Sequence, residues 1–174
     1  MTETVRLPIE MLWDGTPAPA SEHASVTVIR VPDGSLVLQI DAPWHEDAPP
    51  EGEPGPTWAL WEHEVVELFL LGEDEQYTEI EVGPHGHHLV LTLRGRRKVV
   101  DTLLPLDVSV SRAGGRWTAT ARVPKGLVPP GALRGNAYAI HGVGNARRYL
   151  AWTPVPGEEP DFHRLEYFAP LALG

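Results

Sequence analysis

Turn formers recur along this chain too often for long helices to form. It carries 18 Pro and 17 Gly in 174 residues, and these are the strongest local breakers of regular structure. No apolar stripe persists for four helical turns. Between the breakers lie short β-rich runs with apolar residues at every second position. The sequence therefore predicts many short antiparallel strands joined by tight turns.

Residues 26–31 (Val-Thr-Val-Ile-Arg-Val) and 35–41 (Ser-Leu-Val-Leu-Gln-Ile-Asp) flank Pro32-Asp33-Gly34. Pro presets φ and Asp-Gly tolerates positive φ, so a hairpin is expected. Residues 42–57 hold five Pro and two Gly among acidic residues and read as a loop. In residues 61–70, Val66, Leu68 and Leu70 share one parity, and Trp61, His63, Val65, Glu67 and Phe69 share the other. In residues 77–82, Ile80 and Val82 point away from Tyr77, Glu79 and Glu81. A hairpin with Phe69 opposite Tyr77 would set Glu67 opposite Glu79. Residues 89–93, 106–111, 116–123, 138–143 and 148–153 supply further strands, and 161–174 a last strand and tail. Three Pro and two Gly leave room for one helical turn in residues 124–131. Nine or ten such strands predict an all-β chain, an antiparallel β-sandwich with a single domain spanning 1–174.

The chain has no Cys, which excludes disulfides, thiolate metal sites and Cys nucleophiles. Its net charge of −10 repels phosphate, so no nucleic-acid partner is expected. The apolar runs are too short for a transmembrane helix, and no membrane partner is expected. Met1-Thr2-Glu3-Thr4-Val5-Arg6 lacks the basic and apolar regions of a signal peptide, which makes the cytoplasm the expected address. Nucleophile-elbow, phosphate-loop and dinucleotide signatures are absent, and no cofactor is expected. Charge is segregated: residues 45–81 hold 12 acidic and no basic residues, and residues 94–148 hold 11 basic and two acidic ones. Such segments form solvated faces or neutralise each other across a sheet or cleft.

The acidic hairpin is the first candidate for chemistry. Glu67, Glu79 and Glu81 on one face repel one another unless a cation, an Arg or ligand hydroxyls hold them. They can balance the Arg-rich segment, grip sugar hydroxyls, or act as an acid and base pair in glycoside hydrolysis. Tyr77 shares their parity. Six Trp is high for this length, and aromatic planes either stack on sugar rings or fill cores. Trp61 enters the strand that carries Glu67, and Trp152 lies in the last strand pair. His141 sits inside an apolar strand with Arg147 and Arg148 nearby, where it is either an internal hydrogen-bonded histidine or the polar wall of a pocket. His85-Gly86-His87-His88 can bind a metal with Glu81 or cap a turn. Whether any metal binds is left open.

Three blocks carry a resemblance: Leu60-Trp61-Glu62-His63-Glu64-Val65-Val66-Glu67-Leu68-Phe69, Gln76-Tyr77-Thr78-Glu79-Ile80-Glu81-Val82 and Pro84-His85-Gly86. Together they resemble family 9 carbohydrate-binding modules and their DOMON-like relatives. More narrowly, the chain resembles an uncharacterised conserved family of single-domain proteins found in bacteria and animals. That match runs nearly end to end through Trp13-Asp14-Gly15, Glu64-Val65-Val66-Glu67, Gly95-Arg96-Arg97, Ala139-Ile140-His141-Gly142 and Pro160-Asp161-Phe162-His163-Arg164-Leu165-Glu166-Tyr167-Phe168. The broad resemblance implies two antiparallel sheets and a sugar clamped between Trp rings, with Trp61 and Trp152 best placed by position and Glu67 as hydroxyl acceptor. The function expected is non-catalytic binding of a carbohydrate or small polar ligand by Trp61, Glu67, Tyr77, Glu79, Glu81, His141, Arg147 and Trp152. The alternatives are an enzyme (a hydrolase or metal-dependent sugar-processing activity) using Glu67, Glu79 and His141, and a protein-interaction module built on the acidic loop of residues 45–57.

Overall fold

Period-2 patterning in short segments produces thirteen strands in the computed structural model, which describes residues 2–131 and 133–173. Met1, Ala132 and Gly174, the last residue of the expected tail, lie outside the described residues. The strands are β1 (Glu3–Ile9), β2 (Met11–Leu12), β3 (Ala24–Arg30), β4 (Leu36–Pro43), β5 (Val65–Leu71), β6 (Gln76–Val82), β7 (His88–Arg94), β8 (Val99–Asp101), β9 (Asp107–Ala113), β10 (Arg116–Val123), β11 (Arg134–His141), β12 (Arg148–Ala151) and β13 (Ala169–Pro170). Helical structure among the described residues is confined to short 3-10 turns, including Lys125–Leu127 in the segment with room for one turn.

Two antiparallel sheets form. The smaller runs β1-β3-β4-β10-β9, and the larger runs β2-β12-β11-β5-β6-β7-β8 with β13 added to β11. The β3–β4 turn is the expected Pro-Asp-Gly one. Gly34 takes φ +84°, and the Asp33 carboxylate accepts from the Ser35 backbone N–H. β1 was not among the expected strands, because Pro8 interrupts its Val5-Leu7-Ile9 alternation. It is an edge strand, where a Pro is tolerated because one side of the ladder has no partner.

The main core fills the space between the sheets. Val26, Val28, Leu38, Val66, Leu68, Leu70, Ile80 and Trp117 pack there. β10 shows the simplest consequence, with Trp117, Ala119, Ala121 and Val123 buried and every intervening residue exposed. β5 differs, since all seven of its residues are buried. The opposite face of the larger sheet has a second apolar layer, formed by Leu60, Val65, Phe69, Leu89, Leu91, Tyr138 and Ile140 under Val155, Phe162 and Phe168. The stretch 155–168 thus crosses the sheet's outer face instead of forming the expected last strand. Only Ala169–Pro170 pairs, with Gly135 and Arg134 of β11. Gly135 is needed where β11 meets β5: a Cβ there would lie 2.4 Å from the Phe69 carbonyl oxygen.

The β5–β6 register departs from the expected one. Phe69 faces Glu79, Glu67 faces Glu81, and Leu71 faces Tyr77. A two-residue shift preserves parity, so all three glutamates stay on the outer face. No helix among the described residues is long and apolar enough to cross a membrane.

Candidate ligand-binding pocket

The outer face of the larger sheet is only partly covered, and the gap is a pocket of about 430 Å³. That size suits a small organic ligand. Glu67 and Phe69 of β5, Glu79 of β6, Leu91 and Leu93 of β7 and Ile140 of β11 form its floor. Trp58 and Trp61 stand on one side, with Tyr149 of β12 and Phe162 and His163 of the crossing segment completing the aromatic wall. Arg97 and Val99, from the β7–β8 connection and β8, close the remaining edge.

Each wall is fixed by identifiable contacts. Trp58 and Trp61 meet edge to face, 5.2 Å between ring centroids, a favoured aromatic geometry. The Arg147 guanidinium donates to the backbone carbonyls of Trp61, His63 and Gly142 and lies over the Tyr149 ring. It ties the 60–62 turn to the β11–β12 loop. On the other side, Arg96 and Arg97 both pair with Asp161. Asp161 also accepts from the His163 backbone N–H, 3.1 Å away. Phe162 stacks on Tyr138 at 3.7 Å with the rings nearly parallel.

The floor carries unusual electrostatics. Glu67, Glu79 and Glu81 are all buried, and each offers an oxygen within 4.8 Å of the other two's. Both Glu81 oxygens and Glu79 Oε2 have no hydrogen-bond partner among the described residues. Burial pushes the carboxyls of Glu67 and Glu81 well above the usual range, and neighbouring glutamates push them further. The charge of Arg147 opposes this at Glu67. Burial also raises Glu79, which its side-chain contact with Glu81 and then the Arg97 charge partly offset. His163 is pushed down to about 4, by burial first and then by the Arg97 charge, so its ring is neutral at pH 7. The Tyr77 hydroxyl accepts from the Arg97 backbone N–H (2.9 Å) and lies 2.8 Å from His163 Nδ1. Its proton can go to Nδ1, which leaves the ring's own N–H on Nε2, 3.6 Å from Glu79 Oε2. The site thus offers hydrogen-bond donors and acceptors beneath a rim of aromatic rings.

The structure therefore brings Trp61, Glu67 and Glu79 together in one pocket, with Glu81 beneath them and Tyr77 behind His163. Arg147 supports Trp61 from behind. His141 and Trp152 lie elsewhere. On β11, Tyr138 and Ile140 face the pocket layer, which sends His141 to the opposite side. There its Nε2 lies 2.8 Å from Glu22 Oε1, Glu22 also takes two bonds from Arg148, and the imidazole stacks on His45 at 3.5 Å. Trp152 shares the parity of Leu150 and packs against the core between the sheets. The expected Trp61 and Trp152 ring pair is not formed. His85 and His87, the candidate metal pair, have other partners: His85 Nδ1 lies 3.1 Å from an Arg112 guanidinium nitrogen and His87 Nε2 3.1 Å from the Gly52 carbonyl. The residues that sequence reasoning did not assign to the site are Trp58, Arg97, Tyr149, Phe162 and His163. Arg97, Phe162 and His163 lie inside motifs that carry the resemblance, Gly95-Arg96-Arg97 and Pro160-Asp161-Phe162-His163, and Trp58 stands two residues before the block that opens at Leu60.

Fold and site together define an antiparallel β-sandwich with an aromatic-rimmed, carboxylate-floored pocket on the outer face of its larger sheet. Solved structures share the architecture. A putative carbohydrate-binding protein from Bacteroides uniformis ATCC 8492 superposes with a TM-score of 0.73 at 17% identity, over 95% of this chain and 84% of that one. A family 9 carbohydrate-binding module from Caldicellulosiruptor kristjanssonii, in complex with cellotriose, does so with a TM-score of 0.55 at 10% identity, over 95% and 77%. At these identities the likeness carries the fold alone. No family model matches the chain, but sequence relatives are close. The mouse UPF0462 protein C4orf33 homolog is 44% identical over 175 residues, covering 95% of this chain and 90% of its own length. Its human counterpart is 45% identical over 170 residues, covering 92% and 84%. The chain belongs to the UPF0462 family.

Proposed function

We propose that this protein binds a carbohydrate or a similar small hydroxylated ligand in the outer-face pocket, without catalysis. The observation that carries this reading is the pairing of buried carboxylates with aromatic faces. Glu67 and Glu79 form a polar floor, and Trp58, Trp61, Tyr149 and Phe162 form an apolar rim. A sugar ring has both surfaces, with C–H faces for the aromatics and hydroxyls for the carboxylates. A protonated carboxyl donates and an ionised one accepts, so raised carboxyls suit hydroxyls, which do both. The fold shared with carbohydrate-binding proteins supports the same reading, as analogy.

Binding of the best ligand from a panel of mono- and oligosaccharides, cellotriose included, tests it. Glu67→Gln keeps the shape but puts an amide NH₂ where a carboxyl oxygen meets the ligand, so it should weaken affinity about 10- to 100-fold, the cost of a mispaired buried polar group. Circular dichroism should be unchanged. Trp61→Ala should also weaken binding, whereas Trp152→Ala should alter stability and leave affinity within about twofold after correction for folded fraction. Normal affinity in Glu67→Gln would show that the pocket is assigned wrongly.

A hydrolytic reading has one observation in its favour, the close approach of carboxyls that burial raises above their usual range. It cannot use His141, which lies on the other face. Turnover of a chromogenic glycoside, lost in Glu79→Gln, would replace the binding reading.

A further inference from the structure

We propose that Glu67, Glu79 and Glu81 form a binding site for one hard divalent cation, of the Ca²⁺, Mn²⁺ or Mg²⁺ class, at the base of the pocket. The inference rests on the carboxylates and is independent of which organic ligand, if any, the pocket takes.

The strand register creates the arrangement. Glu67 stands directly opposite Glu81, and Glu79 is two residues along β6 on the same face. Like charges opposite one another on paired strands destabilise a sheet. Here the pair is also shut away from water: Glu67 is 2%, Glu79 4% and Glu81 0% exposed. Buried polar groups in folded proteins almost always have partners. Three of the six carboxylate oxygens have none among the described residues, including both on Glu81.

The nearby bases do not supply the missing partners. Arg147 is spent on the carbonyls of Trp61, His63 and Gly142. Arg97 pairs with Asp161. His163 Nε2 stays 3.6 Å from Glu79 Oε2, beyond a hydrogen bond. Among the described residues no Lys or Arg forms an ion pair with any of the three glutamates.

One cation fits this geometry. Ligand oxygens on opposite sides of an ion with bonds of about 2.1–2.5 Å are about 4–5 Å apart. The three carboxylates each offer an oxygen within 4.8 Å of the others'. Their donor set is all oxygen, which favours hard cations over thiophilic or imidazole-preferring ones. Glu67 and Glu79 line the pocket, and Glu81 lies beneath it. The remaining coordination positions therefore face the cavity, where water or a ligand hydroxyl completes the shell. The rival account is a triad that merely shares protons.

Titrating chelator-treated protein with CaCl₂, MnCl₂ and MgCl₂ at pH 7.5, with no sugar present, separates the two. Calorimetry gives stoichiometry and affinity, and tryptophan fluorescence, to which Trp58 and Trp61 at the pocket contribute, gives a second readout. The expected result is saturable binding of one ion per chain for at least one of the three salts. Glu81→Gln should weaken it at least about tenfold, as loss of a charged ligand does, while Glu73→Gln, at an exposed acid in the β5–β6 turn, leaves it unchanged. Should Glu81→Gln fail to fold, Glu67→Gln serves in its place. Absence of saturable binding by all three salts in the wild type overturns the proposal in favour of shared protons. Binding that survives both variants overturns it by placing the ion elsewhere. Neither outcome touches the sugar titrations above, so the two readings fail separately.

Discussion

Tyr138→Ala should cost about 3–5 kcal/mol of folding stability, the range for deleting a fully buried aromatic ring. Tyr138 has no solvent exposure and sits where three structures meet. Its ring stacks face to face on Phe162 and edge-on to Phe69, at 3.7 and 5.3 Å. Its hydroxyl donates to the Phe162 carbonyl at 3.1 Å. Truncation removes packing area, opens a cavity above β11 and frees the segment that forms one wall of the pocket. Tyr138→Phe keeps the ring and loses one neutral hydrogen bond, so it should cost only about 1 kcal/mol. Urea unfolding of the three proteins reads these values. Hydrogen exchange should show residues 160–168 losing protection first in Tyr138→Ala. A cost below about 1 kcal/mol for the alanine variant would mean that Phe162 is held by other contacts.

The second large effect depends on pH and lies on the opposite side of the sheet. The His45 ring stacks on His141, and burial followed by the charge of His141 pushes its pKa down to about 4. The charged or titratable groups around this pair are Glu22, Asp47, Glu64 and Arg148. Asp47 and Glu22 oppose the shift and do not overcome it. In the unfolded chain His45 titrates near 6.5. Between 6.5 and about 4 the unfolded state therefore holds more protons than the folded one, and stability falls as pH drops through that window. A shift of this size corresponds to about 3 kcal/mol at full burial. Partial solvent contact reduces the expected loss to roughly 1–2 kcal/mol. The raised carboxyls of the pocket floor act with the opposite sign, so the wild-type curve mixes the two. The difference between wild type and His45→Gln isolates the histidine. Wild type should be the more stable near pH 8, where it keeps its ring stack, and should lose that advantage progressively towards pH 4. Parallel curves would show that the imidazole pair does not govern acid sensitivity.

Much of this architecture is legible from period-2 alternation alone. Val66, Leu68 and Leu70 against Val65, Glu67 and Phe69 separate the inner and outer faces of β5 correctly, because side chains alternate whatever the pairing. Register is different. A two-residue shift between β5 and β6 leaves every parity intact, so no pattern distinguishes Glu67 opposite Glu79 from the observed Glu67 opposite Glu81. The second half of the pocket is hidden for another reason. Phe162 and His163 arrive on an irregular segment with no periodicity, and chain proximity does not connect them to Glu79. Trp152 enters the expected site through the resemblance, and His141 through its place in an apolar strand near Arg147 and Arg148. Their parity beside Ile140 and Leu150 already points them towards the inner face, where packing takes them.

Binding of a hydroxylated ligand in the outer-face pocket can be read directly from stability. The most direct measurement is a thermal-shift screen of the purified protein against mono- and oligosaccharides and sugar phosphates, repeated on Glu67→Gln. A ligand at a hundred times its Kd adds about 2.7 kcal/mol of stability, several degrees in Tm for a domain of this size. Such a shift is expected for one sugar class and is lost in Glu67→Gln. No shift with any sugar, or a shift of equal size in both proteins, would contradict binding in this pocket.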